Sequence, residues 1–403
     1  MKSNIKTFVG ALALLASSAA YAYDVAAIVW PAYQPEPRWK ELGIFPHGTG
    51  EWQNVYEAKP KFEGHYQPMI PLWGYENEAD PMVVARKIDA ALAAGINVFI
   101  YDWYWYQNRP FLENGLNEGF LKAPNNERMK FYIMWANHDV NYLWNNKKAD
   151  KKAEKPLFDA RVSYDEFTKV LVPRFIDYFK KPNYYKIDGK PVFWLYLPTV
   201  FIEGVGGSEK AKEALEYFRA EVAKAGFPGL HLQFMYASYL KIPSIPGIEK
   251  PTWKEYLDYF GVDSTLSYNW NNLSGFNGSA KGATDIDYED YGTRAIANFD
   301  KVAETTGHPY IGSATLGWDN NARYPDSVYT KITKNRSPEK FEKFLRQVKA
   351  WTDKNHGGMP KLIVLNAWNE WTEGGYLEPD TESGYGYLNA CARVFGGAGQ
   401  ARE

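Results

Sequence analysis

Eight apolar, β-rich runs recur along the chain. They are "DVAAIVW" (24–30), "INVFIYDWYW" (96–105), "MKFYIMWANHD" (129–139), "KPVFWLYLP" (190–198), "LHLQFMYAS" (230–238), "VDSTLSYNW" (262–270), "HPYIGSATLGWD" (308–319) and "KLIVLNAWNEW" (361–371). Most have continuous apolar cores rather than alternating ones, as expected of parallel strands buried on both faces. Helical periods lie between most of them. "DPMVVARKIDAALAAG" opens with Asp80 as N-cap and Pro81 in the first helical position, and stops at Gly95. "SYDEFTKVLVPRFIDYFKK" sets Glu166 three residues after Ser163, the spacing of a capping box. "SEKAKEALEYFRAEVAKAG" begins at Ser208 and closes on Gly226, and "DYEDYGTRAIANFDKVAETTG" and "SPEKFEKFLRQVKAWTDKNHG" follow the same plan.

Strands alternating with helices in this way predict an α/β fold, a single (β/α)8 TIM barrel. The alternative is a doubly wound sheet, but no Gly-rich phosphate turn follows the first run. Residues 31–77 are rich in Pro and Gly and lack a helical period. They are expected to form a long loop between the first strand and the first helix, crossing the barrel mouth. No linker or further repeat divides the chain, so residues 23–403 read as one domain.

Residues 1–22 have a different grammar. Lys2 and Lys6 precede an apolar run, and Ala20-Tyr21-Ala22 forms a small-x-small triplet. This predicts a signal peptide cleaved after Ala22, and a secreted or periplasmic protein. The run is too short for a membrane span, which needs ~20 residues. The formal charge of −2 becomes more negative once Lys2 and Lys6 are removed. Such a chain is a poor partner for nucleic acid or anionic membranes. One cysteine, Cys391, excludes an internal disulfide. Aromatic residues reach 17%, including 15 Trp and 30 Tyr, which suits stacking on sugar rings.

In a barrel of this kind, chemistry sits at the C-terminal strand ends. Reading those ends in order gives Tyr33; Asp102, Trp103 and Tyr104; Asn137, His138 and Asp139; Tyr196; Tyr236; Tyr268, Asn269 and Trp270; Trp318 and Asp319; and Asn369, Glu370 and Glu373. Glu51 and Trp52 join them from the long first loop. Polar and aromatic groups thus converge where the strand bodies are apolar. A polysaccharide or oligosaccharide substrate fits this set.

Glycosidic cleavage needs a proton for the leaving oxygen and a second group at the sugar, which two carboxylates in different environments supply. Glu370 and Glu373 are the catalytic candidates. If their segment forms a helical turn, their Cβ atoms lie ~5–6 Å apart on one face. Acids in a first helical turn also serve as caps, and His138, Asp102 and "YDWYWY" each have ordinary structural readings. HExxH, paired CxxC, P-loop and GxSxG motifs are all absent from the sequence, so no metal or other cofactor is called for. "DID" at Asp285–Asp287 resembles a DxD motif but precedes a predicted helix, where acids cap.

"HGTGEWQNVYEAKPKFEGHYQP" (47–68), "WANHD", "YYKIDGKPVFWLY" (184–196) and "NEWTEGGYLEPD" (369–380), in that order, resemble the WbsX-like, glycoside hydrolase family 99-like proteins. More distantly the chain is similar to glycoside hydrolase family 99, the endo-α-mannosidases and mannanases, which are (β/α)8 enzymes with an "NEWHE" segment. The resemblance implies Glu370 as base on the sugar's own 2-hydroxyl and Glu373 as acid/base, with net retention. It also implies departures. Thr372 stands where family 99 has His, and His138-Asp139 where WbsX-like chains read Glu after "WAN". The expected function is an exported, endo-acting glycoside hydrolase. The alternatives are a transferase or transglycosylase of the WbsX type acting on surface polysaccharide, and a non-catalytic glycan-binding barrel. The transferase reading sits poorly with export, because nucleotide sugars are cytoplasmic.

Overall fold

The computed structural model describes residues 22–141, 156–278 and 284–396. Of the sequence expectations, residues 1–21 of the leader and residues 279–283 of the loop after residue 270 lie outside the described residues.

The apolar runs form one parallel sheet rolled into a nearly closed barrel. Its strands are β1 (Asp24–Val29), β2 (Val98–Tyr106), β3 (Lys130–Trp135), β4 (Lys190–Leu195), β5 (His231–Met235), β6 (Ser264–Leu266), β7 (Tyr310–Ile311), β8 (Ser313–Thr315) and β9 (Leu362–Asn366). The hydrogen-bonded order is β7-β6-β5-β4-β3-β2-β1-β9-β8. The seventh predicted strand is therefore two pieces. Its first half pairs with β6 and its second with β9, so one strand position closes the ring. The break falls at Gly312, where a Cβ would lie 3.2–3.3 Å from Val348, Trp351 and Thr352. These belong to the helix Pro338–Asn355, which presses on the strand at that point. Every residue of β2 and β9 is buried, as continuous apolar runs demand. Each fully buried Val, Leu or Ile contributes about 1.5–3 kcal/mol.

Helix α1 (Pro81–Ala93) starts as its sequence predicts: Asp80 caps by accepting from the Met82 N–H, and Gly95 follows with φ +80°. Ser163 accepts from the Glu166 N–H, but the Glu166 carboxylate instead takes the indole N–H of Trp105 at 2.7 Å. Only half of the expected capping box forms. The predicted helix after residue 287 is two helices, Tyr288–Ala297 and Phe299–Thr306, meeting at Asn298. There the Asn298 amide turns to the carbonyls of Leu273 and Arg294.

Residues 31–77 do contain short helices, Pro37–Glu41 and Trp52–Tyr56, within an otherwise irregular excursion. The excursion delivers Glu51 to the barrel end, where its N–H donates to the Ala32 carbonyl at 2.9 Å. Gly50 makes this approach possible. Its φ is +63°, and a Cβ there would sit 2.2 Å from the Ala32 oxygen and 2.6 Å from that of Gln34. β2 runs past the barrel rim and turns at Gln107 and Asn108, both at positive φ, into the strand Arg109–Phe111. This two-residue reversal matches strand twist. Gly50→Ala is expected to lower stability by about 2–3 kcal/mol, read as a shift of the urea unfolding midpoint. An unchanged midpoint would show that the loop does not depend on this close approach.

Candidate active site

The chain leaves β9 as a tight hairpin. Asn369–Glu370 pairs antiparallel with Gly375–Tyr376, and a 3-10 turn, Trp371–Glu373, joins them. Residues three apart eclipse in a 3-10 turn, so Glu370 and Glu373 project together without an α-helix. Gly374, at φ +66°, ends the turn where Asp319 backbone and side-chain atoms stand 3.1 Å from a would-be Cβ.

Opposite this hairpin stands Arg323, at the end of the 3-10 turn Asn321–Arg323 that follows β8. Its guanidinium reaches three carboxylates. Nε donates to Glu51 Oε1 at 2.7 Å, and Nη2 donates to Glu51 Oε2 at 3.2 Å and to Glu370 Oε1 at 2.8 Å. Nη1 donates to Glu373 Oε1 at 2.7 Å. Glu51 also accepts the Trp30 indole N–H at 2.6 Å, and the Trp30 ring lies 5.2 Å from the guanidinium carbon. Arg323, Glu51 and Glu370 are buried, and Glu373 is partly open at 17% side-chain exposure.

One positive charge cannot neutralise three carboxylates, and Asp102 adds a fourth. The Tyr268 hydroxyl sits 3.1 Å from Glu370 Oε2 and 3.3 Å from Asp102 Oδ2, bridging the two. Asp102 Oδ1 has no hydrogen-bond partner among the described residues. Burial pushes the Glu370 carboxyl well above its ordinary range, and the neighbouring charge of Glu373 adds to this, against the pull of Arg323. Burial also raises Glu373, with Arg323 opposing. Burial raises Asp102 as well. Close, buried acids titrate as a group and hold protons in common.

Glu370, Glu373, Asp102 and Arg323 open on a cavity of about 350 Å³, walled by Trp30, Tyr104, His138, Tyr196, Tyr239 and Tyr268. His138 places Nδ1 3.1 Å from the Asp139 carbonyl, so Nδ1 carries the proton. Burial lowers its pKa and keeps it neutral, with Nε2 as an acceptor. A second cavity, of about 580 Å³, shares Tyr196, Tyr239 and Tyr268 with the first and includes Tyr236, Asn269 and Trp318. The two are arms of one cleft. Among the described residues, neither lining contains a lysine, or an arginine other than Arg323.

The other sequence candidates are held away from the cleft. On β2 successive side chains alternate: Asp102 and Tyr104 face inward, while Trp103 faces outward, donates to Glu113 at 2.7 Å and packs against Phe175. Asn137 is a backbone clamp, bonded to both the N–H and the C=O of Leu197. Asn369 clamps Trp30 in the same manner, at 2.7 and 2.8 Å. Tyr33 stacks on Trp52 at 4.0 Å and accepts the Thr372 N–H, and Trp52 donates to the Glu76 carbonyl. Glu51 stands behind Arg323 rather than in the cavity wall. Thr372, at the position where family 99 has His, is fully buried and lines neither arm. Arg323, Trp30 and Tyr239 escaped the sequence reading. The gathering of acids at strand ends was the signal for a buried cation.

Comparison with known proteins follows this geometry. A family model described as glycosyltransferase WbsX matches residues 25–391. Two strains of Xanthomonas campestris pv. campestris carry an "uncharacterized protein WxcX" that is 24% identical over 372 residues. The match takes in 91% of this chain and 49% of the relative, so the chain spans about half the length of these relatives. Among solved structures, a "glycoside hydrolase-like protein" superposes with a TM-score of 0.55 at 15% identity, over 98% of this chain and 97% of the other. A GH99 endo-alpha-mannosidase of Bacteroides thetaiotaomicron in complex with bis-tris propane gives a TM-score of 0.55 at 12% identity, over 93% and 96%. The fold is thus a glycoside-hydrolase-like TIM barrel.

Arg323→Met removes the counter-charge and is expected to cost about 3–5 kcal/mol at neutral pH. Acids whose folded pKa exceeds the unfolded value bind more protons when folded, so their contribution falls as pH rises from the unfolded value through the folded one. The variant raises these folded values further. Its melting temperature should therefore approach that of the wild type at about pH 5 and fall away toward pH 8. A gap independent of pH would contradict the shared-charge description.

Proposed function

Since the chain belongs to the glycosyltransferase WbsX family, we propose that it is an exported, endo-acting glycoside hydrolase that cleaves an uncharged polysaccharide or complex glycan with net retention. The observation that carries this reading is the pair Glu370 and Glu373, three residues apart and bound to one guanidinium, opening on an aromatic-walled cavity.

The two carboxyls differ in a way that divides their work. Both oxygens of Glu370 accept hydrogen bonds, from Arg323 and Tyr268, and these bonds favour its ionised form against the burial and the Glu373 charge that raise its pKa. Glu373 engages Arg323 through Oε1 and borders the cavity at its more open edge. Glu373 therefore donates the proton to the leaving oxygen and recovers it from water. Glu370 acts as the base, drawing a proton from the sugar's 2-hydroxyl so that this oxygen displaces the leaving group. Water then attacks the anomeric carbon and opens the anhydro-sugar, Glu370 returns its proton to the 2-oxygen as that bond breaks, and the original configuration is restored. Burial raises the donor's pKa from the ordinary carboxyl value, which favours its protonated form.

Charge supports hydrolysis over transfer from a nucleotide sugar. A diphosphate needs cations, and among the described residues the cleft offers only Arg323, whose nitrogens are all bound to carboxylates. The family's description favours one further reading, transglycosylation onto a second glycan at the same site. Product analysis with and without an acceptor glycan separates the two. Export rests on the leader-like residues 1–22. No helix among the described residues is long and apolar enough to cross a membrane.

A reducing-end screen over α-mannans, rhamnose-containing polysaccharides and host glycans is expected to find a substrate. On it, Glu373→Gln and Glu370→Gln should each lower kcat by about 10²–10⁴-fold. Activity within about threefold of wild type in either variant would remove the assignment. The alkaline limb of the wild-type kcat/KM profile should fall above the usual glutamate range, because the proton donor's pKa is raised. A limb inside that range would assign the proton to another group.

A further inference from the structure

Outside the cleft, three charged side chains are buried together beneath the catalytic hairpin. Lys87 of α1 is 5% exposed, and its ammonium lies 2.5 Å from Glu78 Oε1 and 2.6 Å from Glu378 Oε1. Burial alone would lower its pKa, but the charges of Glu378 and Glu78 hold it above the ordinary value. The adjoining void of about 10 Å³ has room for one water at most. Solvent therefore contributes little here.

Each carboxylate passes the contact on. Both oxygens of Glu78 accept from Asn369 Nδ2, at 2.8 and 2.9 Å. Glu378 Oε2 accepts the Trp371 indole N–H at 2.8 Å. Asn369 and Trp371 are the residues immediately before and after Glu370. The two chain neighbours of one catalytic candidate thus hang from two carboxylates, and both carboxylates hang from one lysine.

Stability does not explain the arrangement. α1 already buries Val84, Ile88 and Ala91, and replacing a buried ion cluster by apolar side chains of similar size is often neutral or stabilising. Charge-assisted hydrogen bonds supply what hydrocarbon cannot, a fixed direction. We propose that Lys87 is a positioning residue that orients the Glu370 carboxylate toward Arg323 and the substrate, through Glu78–Asn369 on one side and Glu378–Trp371 on the other. The proposal rests on the catalytic reading of Glu370 given above.

The test is the triple variant Lys87→Met, Glu78→Met, Glu378→Met in the full chain. It should fold, with a melting temperature within a few degrees of the wild type, because no charge is left unpaired and the main polar loss is the acceptor of the Trp371 indole N–H. Its kcat on the glycan cleaved by the wild type should fall about 10–100-fold with KM within about threefold, as expected when a supporting shell is lost. A folded variant with kcat within about threefold of wild type would overturn the proposal and leave the cluster a structural one.

If the wild type cleaves none of the glycans, the catalytic reading fails, and the crystal structure of the triple variant decides the positioning claim alone. Displacement of the Glu370 carboxylate from Arg323 by ~1 Å or more supports it. An unmoved carboxylate overturns it. Should the triple variant not fold, Glu378→Gln serves instead. A lower kcat at unchanged KM and melting temperature supports the proposal, and an unchanged kcat overturns it.

Discussion

A single buried guanidinium between three carboxylates is the constraint on which the site depends. Arg323 draws Glu51 from the first loop and Glu370 and Glu373 from the last hairpin to one point. Those segments are far apart in sequence, and each arrives with its backbone already fixed. Gly50 sets the approach of one, and Gly374 ends the turn of the other. Removing the cation would leave buried acids with nothing to offset their desolvation. The same cation does not remove their mutual repulsion, since four carboxylates including Asp102 surround one positive charge. The site therefore holds protons above the ordinary carboxyl range. That is the condition for donating one to a leaving oxygen near neutral pH.

The charge balance also constrains what enters. Among the described residues the cleft walls offer tyrosines, asparagines, two tryptophans and acids, with their one cation already engaged. Neutral sugars meet stacking faces and hydroxyl partners there, whereas anionic ones meet like charge. Beneath the hairpin a second ionic cluster, Lys87 with Glu78 and Glu378, has no cavity of functional size beside it. In this cluster Glu378 is a structural anchor for the Trp371 indole. Asp380 is also structural: it accepts the Tyr376 hydroxyl at 2.6 Å and caps the turn at Glu382 and Ser383.

The barrel was legible because strand and helix periods repeat regularly and the apolar runs are continuous. The split of the seventh strand at Gly312 was not, because it comes from the press of a distant helix. Glu370 and Glu373 were legible from their place just past an apolar run. Side-chain direction was harder. Trp103 and Tyr104 are adjacent aromatics at one strand end, and only the phase of the pleat sends one to a helix and the other to the cavity. Asn137 and Asn369 have the letters of sugar-binding residues, yet both satisfy backbone groups where strands end. Arg323 lies in an irregular turn with no periodicity to mark it. The one signal that could have pointed to it is the accumulation of acids at the neighbouring strand ends.

The central claim is that Glu370 and Glu373 share their protons across Arg323. Carboxyl carbon NMR of the labelled full chain, titrated with pH and assigned through Glu370→Gln and Glu373→Gln, tests it most directly. The account predicts that at least one of the two carboxyls titrates above the ordinary glutamate range, and that replacing either residue lowers the midpoint of the other. Two independent titrations inside the ordinary range would contradict it.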